Sequence, residues 1–195
     1  MSGFLRKNLM LVILTVFGYL LQVCFMPYIK IFDVTPNLLY VNIAIVTVAY
    51  GKLRAFWIGT FYGLLMQIMS PSVSYLNLAL YSLTSLFCSF AFADKPIKTL
   101  EYERAIDRHR KELPAWLRTL FCAMLNITIY EAIQVTYIYL GGSAITTGHI
   151  LRAFADILLT SLLALLLMFP LRRLILGKKA DAPGVTIAPV VFSSR

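Results

Sequence analysis

Three ionisable side chains interrupt long apolar stretches of the sequence, and they have the clearest capacity for chemistry. Glu131 lies in one such stretch, and Arg152 and Asp156 lie in the next. An ionised side chain inside a lipid bilayer costs at least ~2.5 kcal/mol, so such residues mark either a functional site or a polar contact between helices. Carboxylates and a guanidinium are able to bind a proton, a charged substrate or one another.

Helical spacing adds Gln134 to these three ionisable residues. Arg152 and Asp156 are four residues apart and share a helix face, on which they can pair; Glu131 and Gln134 are three apart and share another face. Both carboxylates stand roughly 10–14 Å from the nearer end of their apolar stretch. We therefore predict an intramembrane polar cluster of these four residues. A structural contact between two helices is the favoured interpretation, and a proton or substrate site and a groove for a partner are the alternatives.

Residue patterns typical of catalysis or metal binding are absent from the sequence. The two histidines, His109 and His149, belong to no H-E-x-x-H pattern, and neither a G-x-S-x-G turn nor a phosphate-binding loop occurs. The three cysteines, Cys24, Cys88 and Cys122, lie in apolar stretches and form no C-x-x-C pair. We therefore expect no enzymatic activity, no metal site and no cofactor.

The elements that carry the polar residues are predicted to be membrane-spanning helices. Hydrophobic residues make up 59% of the 195-residue chain, and its mean hydropathy is +0.78, whereas soluble domains are roughly 45–50% apolar. The net charge of +9 comes from Lys and Arg residues that flank the apolar stretches. This distribution is typical of a protein in a lipid bilayer rather than of one that binds nucleic acid.

Six spanning helices are predicted in one domain, residues 1–176, with an all-α polytopic fold. Their approximate ranges are 8–26, 36–50, 55–70, 73–93, 115–140 and 149–169. The second and third are short for a hydrocarbon core about 30 Å thick, and a re-entrant hairpin is the alternative. Such a hairpin would bury Lys52 and Arg54 in the membrane, so two short spans are preferred.

Basic residues predict the orientation of the bundle. With the N-terminus in the cytoplasm, sixteen of the eighteen Lys and Arg residues lie on the cytoplasmic side, and only Lys30 and Arg152 lie outside. This uneven distribution favours an even number of spans with both termini in the cytoplasm. The charged segment 94–114 is then a cytoplasmic link with a short helix near 97–112, and residues 177–195 form a mobile cytoplasmic tail.

Two further segments are predicted to pack closely against another helix or a partner. At the start of the second span, Thr35 is able to cap the helix and Pro36 suits its first position, with Asn37 next. In the third span, small residues allow close approach of a second helix, and a polar residue one turn on is able to bond across the contact; these residues are Gly59, Gly63 and Gln67. The remaining amides within spans, Asn42, Asn77 and Asn126, are predicted to form hydrogen bonds between helices.

The order of residues from 20 to 93 resembles the rod shape-determining protein MreD family. The stretches that carry the likeness are Leu21-Gln22, Val34-Thr35-Pro36-Asn37-Leu38-Leu39, Gly59-x-x-x-Gly63 with Gln67, and the closing Phe169-Pro170-Leu171-Arg172. The family often has an aspartate where this chain has Gln67. The length, the short second and third spans and the basic tail also agree with the family.

This resemblance implies a non-catalytic, multi-pass subunit of a bacterial inner (plasma) membrane. Members of the family accompany MreC and, through it, MreB, RodA and a transpeptidase, and they help to direct the lateral peptidoglycan synthesis that determines cell shape. The alternatives are the substrate-binding subunit of a vitamin importer of the energy-coupling-factor type, which has a similar size and six spans, and, third, a membrane enzyme. Such importer subunits usually carry an alanine-x-x-x-alanine pattern in the first span, and residues 8–26 contain no alanine.

Overall fold

The computed structural model describes residues 3–31, 34–69, 75–93, 113–142, 144 and 146–176. In these ranges the chain forms six α-helices: α1 (Gly3–Cys24), α2 (Leu38–Tyr50), α3 (Lys52–Met69), α4 (Leu76–Phe92), α5 (Ala115–Leu140) and α6 (Thr147–Leu176). A short 3-10 helix, Met26–Tyr28, follows α1. The predicted short helix near 97–112 and the predicted mobile tail at 177–195 lie outside the described residues.

Three segments are long and apolar enough to cross a membrane. They are Asn8–Tyr28, Ala115–Leu140 and Thr147–Leu171. The apolar helices Leu38–Tyr50 and Leu76–Phe92 are shorter. The all-helical prediction is therefore confirmed for the described residues, whereas the six crossings stay a prediction.

The shortest helix, α2, lies at the centre of the bundle. Every residue from Leu38 to Val48 is buried, and α2 contacts each of the five other helices. A helix that is apolar on all sides suits this position, because none of its faces needs a polar medium. Since protein surrounds α2, its 13 residues do not have to match the thickness of a bilayer.

Helices that follow one another in the chain run in opposite directions. Gln22, near the end of α1, bonds to Leu38 at the start of α2. Gly51 alone separates α2 from α3, and its φ of +85° lies in the region that glycine adopts readily. Gln67, near the end of α3, bonds to Asn77 at the start of α4. Short connections and end-to-start contacts of this kind produce an up-and-down bundle.

The start of α2 corrects one prediction. The helix begins at Leu38 with Asn37 as its N-cap, and not at Pro36 with Thr35 as the cap. The Asn37 side chain accepts a hydrogen bond from the backbone N–H of Leu39 at 3.1 Å, which is the bond that a capping residue makes. Asparagine and threonine both cap helices, so contacts from distant parts of the chain decide between them.

Other helix ends also differ from their predicted positions. α1 begins at Gly3 rather than at residue 8, and α3 begins at Lys52 rather than at residue 55. α6 continues through Pro170 to Leu176, although proline was expected to end it at residue 169. Hydropathy marks the part of a helix that lies in an apolar medium, whereas the helix itself can extend into polar flanks. A proline inside an apolar helix is tolerated when neighbouring groups satisfy the freed carbonyl.

Candidate functional site

The start of the central helix gathers polar side chains from three other helices. Its N-cap, Asn37, donates from Nδ2 to the hydroxyl of Tyr81 on α4 at 2.8 Å. The backbone N–H of Asn37 donates to Oγ1 of Thr160 on α6 at 2.9 Å. The backbone N–H of Leu38 donates to Oε1 of Gln22 on α1 at 2.7 Å. The first N–H groups of a helix have no partner within it, so these bonds satisfy buried donors and also join α2 to α1, α4 and α6.

Thr160 links the start of α2 to a carboxyl group. Its hydroxyl accepts from the N–H of Asn37 and donates to Oδ1 of Asp156, one turn earlier on α6, at 3.0 Å. A threonine hydroxyl has one proton to donate, so the carboxyl oxygen of Asp156 acts as the acceptor. Asp156 is therefore held by the same network that caps α2.

The two carboxyl side chains of the predicted cluster lie together. Glu131 on α5 and Asp156 on α6 are within hydrogen-bonding range of each other, and both are half-buried. Glu131 stands nine residues before the end of α5 and Asp156 nine residues after the start of α6, so α5 and α6 also run in opposite directions. Two carboxyl groups attract at this range when one proton lies between them, because two carboxylates repel each other.

The other two members of the predicted cluster are placed differently. Arg152 is exposed and forms no ion pair with Asp156 among the described residues, so the predicted pair on one helix face is wrong. Arg152 still acts on both carboxyl groups electrostatically. A long arginine side chain near a helix end extends toward the membrane surface, where water solvates its charge. Gln134 is half-buried and lies beside the hydroxyl of Tyr130, on the same helix.

Three tyrosine rings, one each from α2, α4 and α5, pack against one another next to these polar groups. The rings of Tyr40 and Tyr81 are stacked, with centroids 4.5 Å apart and an interplanar angle of 4°. Tyr130 is tilted against both, at 5.4 Å from Tyr40 and 5.9 Å from Tyr81. Such ring pairs contribute about 0.5–1.5 kcal/mol beyond their buried area. We define the α2-entry cluster as Gln22, Asn37, Tyr40, Tyr81, Tyr130, Glu131, Asp156 and Thr160.

Sequence reasoning missed most of the α2-entry cluster. Gln22, Tyr40, Tyr81, Tyr130 and Thr160 are each ordinary within an apolar helix, and each gains its role from a partner on another helix. The sequence did contain one indication, because a buried tyrosine hydroxyl usually has a polar partner, and Tyr40, Tyr81 and Tyr130 lie in apolar helices. The sequence does not show which residue that partner is. In the described part of the chain the Tyr40 hydroxyl makes no hydrogen bond.

The glycines predicted to pack closely lie on α3 where it meets α4. A Cβ atom on Gly59 would stand 2.6 Å from the carbonyl oxygen of Tyr81, and one on Gly63 would stand 2.8 Å from Cα of Leu78. One turn beyond Gly63, Oε1 of Gln67 accepts from the backbone N–H of Asn77 at 3.2 Å. The stripe therefore brings two helix backbones together, and Gln67 holds the first turn of α4.

The other amides in the helices behave in two ways. Nδ2 of Asn42 on α2 donates to the hydroxyl of Tyr62 on α3 at 3.4 Å, and that hydroxyl donates to the carbonyl of Thr15 on α1 at 3.1 Å. Asn126, by contrast, donates to the carbonyl of Cys122 on its own helix at 2.8 Å. The prediction of an interhelical bond is confirmed for Asn42 and wrong for Asn126, because the amide reaches the carbonyl one turn earlier.

Comparisons with known proteins identify no relative of this chain. No protein family, curated protein or solved structure matches this chain. Among the described residues, no group of three or more His, Cys, Asp or Glu side chains is arranged to hold a metal ion. The α2-entry cluster joins α1, α2, α4, α5 and α6 at one level through directional bonds and ring contacts.

Proposed function

We propose that this chain is a non-catalytic, six-span subunit of a bacterial inner (plasma) membrane, part of the machinery that elongates rod-shaped cells. In this proposal it acts with MreC and, through MreC, with MreB, RodA and a transpeptidase, and it helps to organise lateral peptidoglycan synthesis. The chain supplies a rigid helical scaffold to that machinery rather than chemistry of its own.

The observation that carries the proposal is where the MreD-like residues lie. The segment Val34-Thr35-Pro36-Asn37-Leu38-Leu39 forms the buried entry of the central helix. Gly59, Gly63 and Gln67 form the close contact of α3 with α4. Two of the stretches that carry the likeness therefore build the interior of the bundle, whereas Phe169 of the closing stretch is exposed, and close helix contacts of this kind suit a scaffold.

The proposed topology has both termini in the cytoplasm. Sixteen of the eighteen Lys and Arg residues then lie on the cytoplasmic side, in accord with the positive-inside rule. The alternating direction of consecutive helices supports this arrangement, because six antiparallel crossings return the chain to the side on which it began. The α2–α3 turn at Gly51 and Lys52 is cytoplasmic in this proposal, and the α5–α6 turn at Gly142 lies outside.

Depletion of the chain from its source bacterium, combined with co-purification, tests the proposal. Depleted cells should lose their rod shape and round up, and plasmid expression of the chain should restore the rods. Tagged protein solubilised in mild detergent should retain MreC, whereas a tagged unrelated six-span protein of similar size should not. Rod-shaped growth after complete depletion would refute the proposal.

The same preparation examines the importer alternative. The half-buried carboxyl pair of Glu131 and Asp156 is the feature that favours this second function, because a few polar groups in an apolar surrounding are typical of small-ligand sites. An importer subunit should release a vitamin on denaturation, and cells lacking it should need that vitamin in the medium. Finding neither, with MreC bound, supports the cell-elongation proposal.

A further inference from the structure

The α2–α3 turn carries two cations that are held against aromatic rings. Nζ of Lys52 lies 4.3 Å from the ring centroid of Phe90 on α4. Cζ of Arg54 lies 4.9 Å from the ring centroid of Tyr50 on α2. These are cation–π contacts, which engage one side of each cation. Lysine and arginine have three and five N–H donors, so most of these donors stay available for a ligand.

No described residue uses those donors. Within the ranges that the structure describes, neither Lys52 nor Arg54 makes a hydrogen bond or an ion pair. Lys52 is exposed and Arg54 is half-buried. The rings therefore hold two positive charges at one end of the bundle while leaving them able to bind an anion.

Three large apolar side chains near the two cations are exposed. The exposed fractions are 72% for Leu53, 63% for Trp57 and 64% for Phe90. Leu53 and Trp57 share a face of α3 because they are four residues apart. A soluble anion would leave this apolar surface uncovered, and a nucleic acid has no hydrocarbon to cover it. The occupant that matches both properties has an anionic head and an apolar tail.

The α2–α3 turn lies at an end of the bundle where a membrane surface is expected. Thr47 on α2 lies beside Cys122 on α5, and the two helices are antiparallel, so Gly51 is level with Arg118, which lies two residues after Trp116 in the sequence. Tryptophan and basic residues together are typical of the boundary between hydrocarbon and headgroups. Phospholipid phosphates are found at this depth.

We infer that Lys52, on the α4 side of α3, and Arg54, on the α2 side, bind headgroup phosphates of anionic phospholipid whose acyl chains lie against Leu53, Trp57 and Phe90. Lipid at Lys52 contacts α3 and α4, and lipid at Arg54 contacts α3 and α2, because the two cations stand on α3 while their aromatic supports belong to α4 and α2. Binding therefore stabilises the packing of these three helices. This inference does not depend on the proposed cellular function.

The test measures thermal unfolding of the full chain in an uncharged detergent. Added phosphatidylglycerol should raise the unfolding midpoint, whereas phosphatidylcholine and inorganic phosphate should leave it unchanged. The double variant Lys52→Gln/Arg54→Gln should lose the increase with phosphatidylglycerol. The matched control is Lys30→Gln, which removes an exposed cation at the opposite end of the bundle and should keep the increase.

A second variant separates a shaped site from simple charge attraction. Phe90→Leu keeps both cations but removes the ring beneath Lys52, and it should weaken phosphatidylglycerol binding about two- to five-fold, as expected for an exposed cation–π contact. The inference is overturned if the double variant responds like the wild type, or if phosphatidylcholine or phosphate gives the same increase. The double variant also loses both cation–π contacts, so its response to lipid is measured as the shift from its own midpoint without lipid.

Discussion

Replacement of Gly63 by leucine is expected to force α3 and α4 apart. A Cβ atom at this position would lie 2.8 Å from Cα of Leu78 and 2.9 Å from the carbonyl oxygen of Asn77. Ordinary contacts of a Cβ atom lie at 3.4–4 Å, so even alanine requires about 0.6 Å of movement. Both neighbours are backbone atoms of α4, which cannot turn aside as a flexible side chain can.

The magnitude follows from overpacking. Inserting methylene groups into a packed contact costs typically ~1–3 kcal/mol, and leucine adds four carbons where not one fits. We expect about 1 kcal/mol for Gly63→Ala, since the better helix propensity of alanine offsets part of the strain, and about 3 kcal/mol or more for Gly63→Leu. For a chain of this size that corresponds to a decrease in the unfolding midpoint on the order of 5–10 °C.

Thermal unfolding of the purified variants in detergent measures this effect. Gly148→Leu is the matched control, because Gly148 lies in α6 and a Cβ atom there would meet nothing within 4 Å. Leu64→Ala is a second control, since Leu64 is 47% exposed and points away from the contact. Both controls should unfold within about 0.5 kcal/mol of the wild type.

The outcomes distinguish three interpretations of the glycine stripe. Lower stability of isolated Gly63→Leu indicates the internal contact of α3 with α4. Normal stability of the purified variant combined with failed co-purification of MreC would assign the stripe to a partner instead. If Gly63→Leu matches Gly148→Leu in both assays, the packing argument for α3 is refuted.

Three further predictions concern topology and the polar contacts of α2 and α4. A cysteine introduced at Lys52 should react with a membrane-impermeant reagent only from the cytoplasmic side. A cysteine introduced at Gly142 should react only from the outside. Labelling at Lys52 from the outside would refute the six-span topology. Asn37→Ala should lower stability by about 2–3 kcal/mol, because it removes both an N-cap and a buried donor to another helix, and an unchanged unfolding midpoint would contradict that role. Gln67→Met keeps the length of the side chain but removes the acceptor for the N–H of Asn77, so it should cost about 1 kcal/mol, less than Gly63→Leu, in the same unfolding assay.

Hydropathy and small-residue spacing determined which segments are helices and which face of α3 packs closely. These properties are local, since a helix places residues three and four positions apart on one face whatever surrounds it. Gly59, Gly63 and Gln67 could therefore be grouped before any neighbour was known. The same reasoning placed Glu131 and Asp156 at similar depths, since depth follows from distance along a helix.

The neighbours of each helix were decided only by the tertiary structure. Asn37 rather than Thr35 caps α2 because Thr160, 123 residues away in the sequence, accepts the N–H of Asn37. The stack of Tyr40 on Tyr81 likewise depends on the order in which the helices surround α2. Apolar periodicity indicates that one face of a helix is buried, but several helices in the bundle have such a face. Which two helices pack together therefore depends on the shape and hydrogen-bonding groups of the assembled bundle.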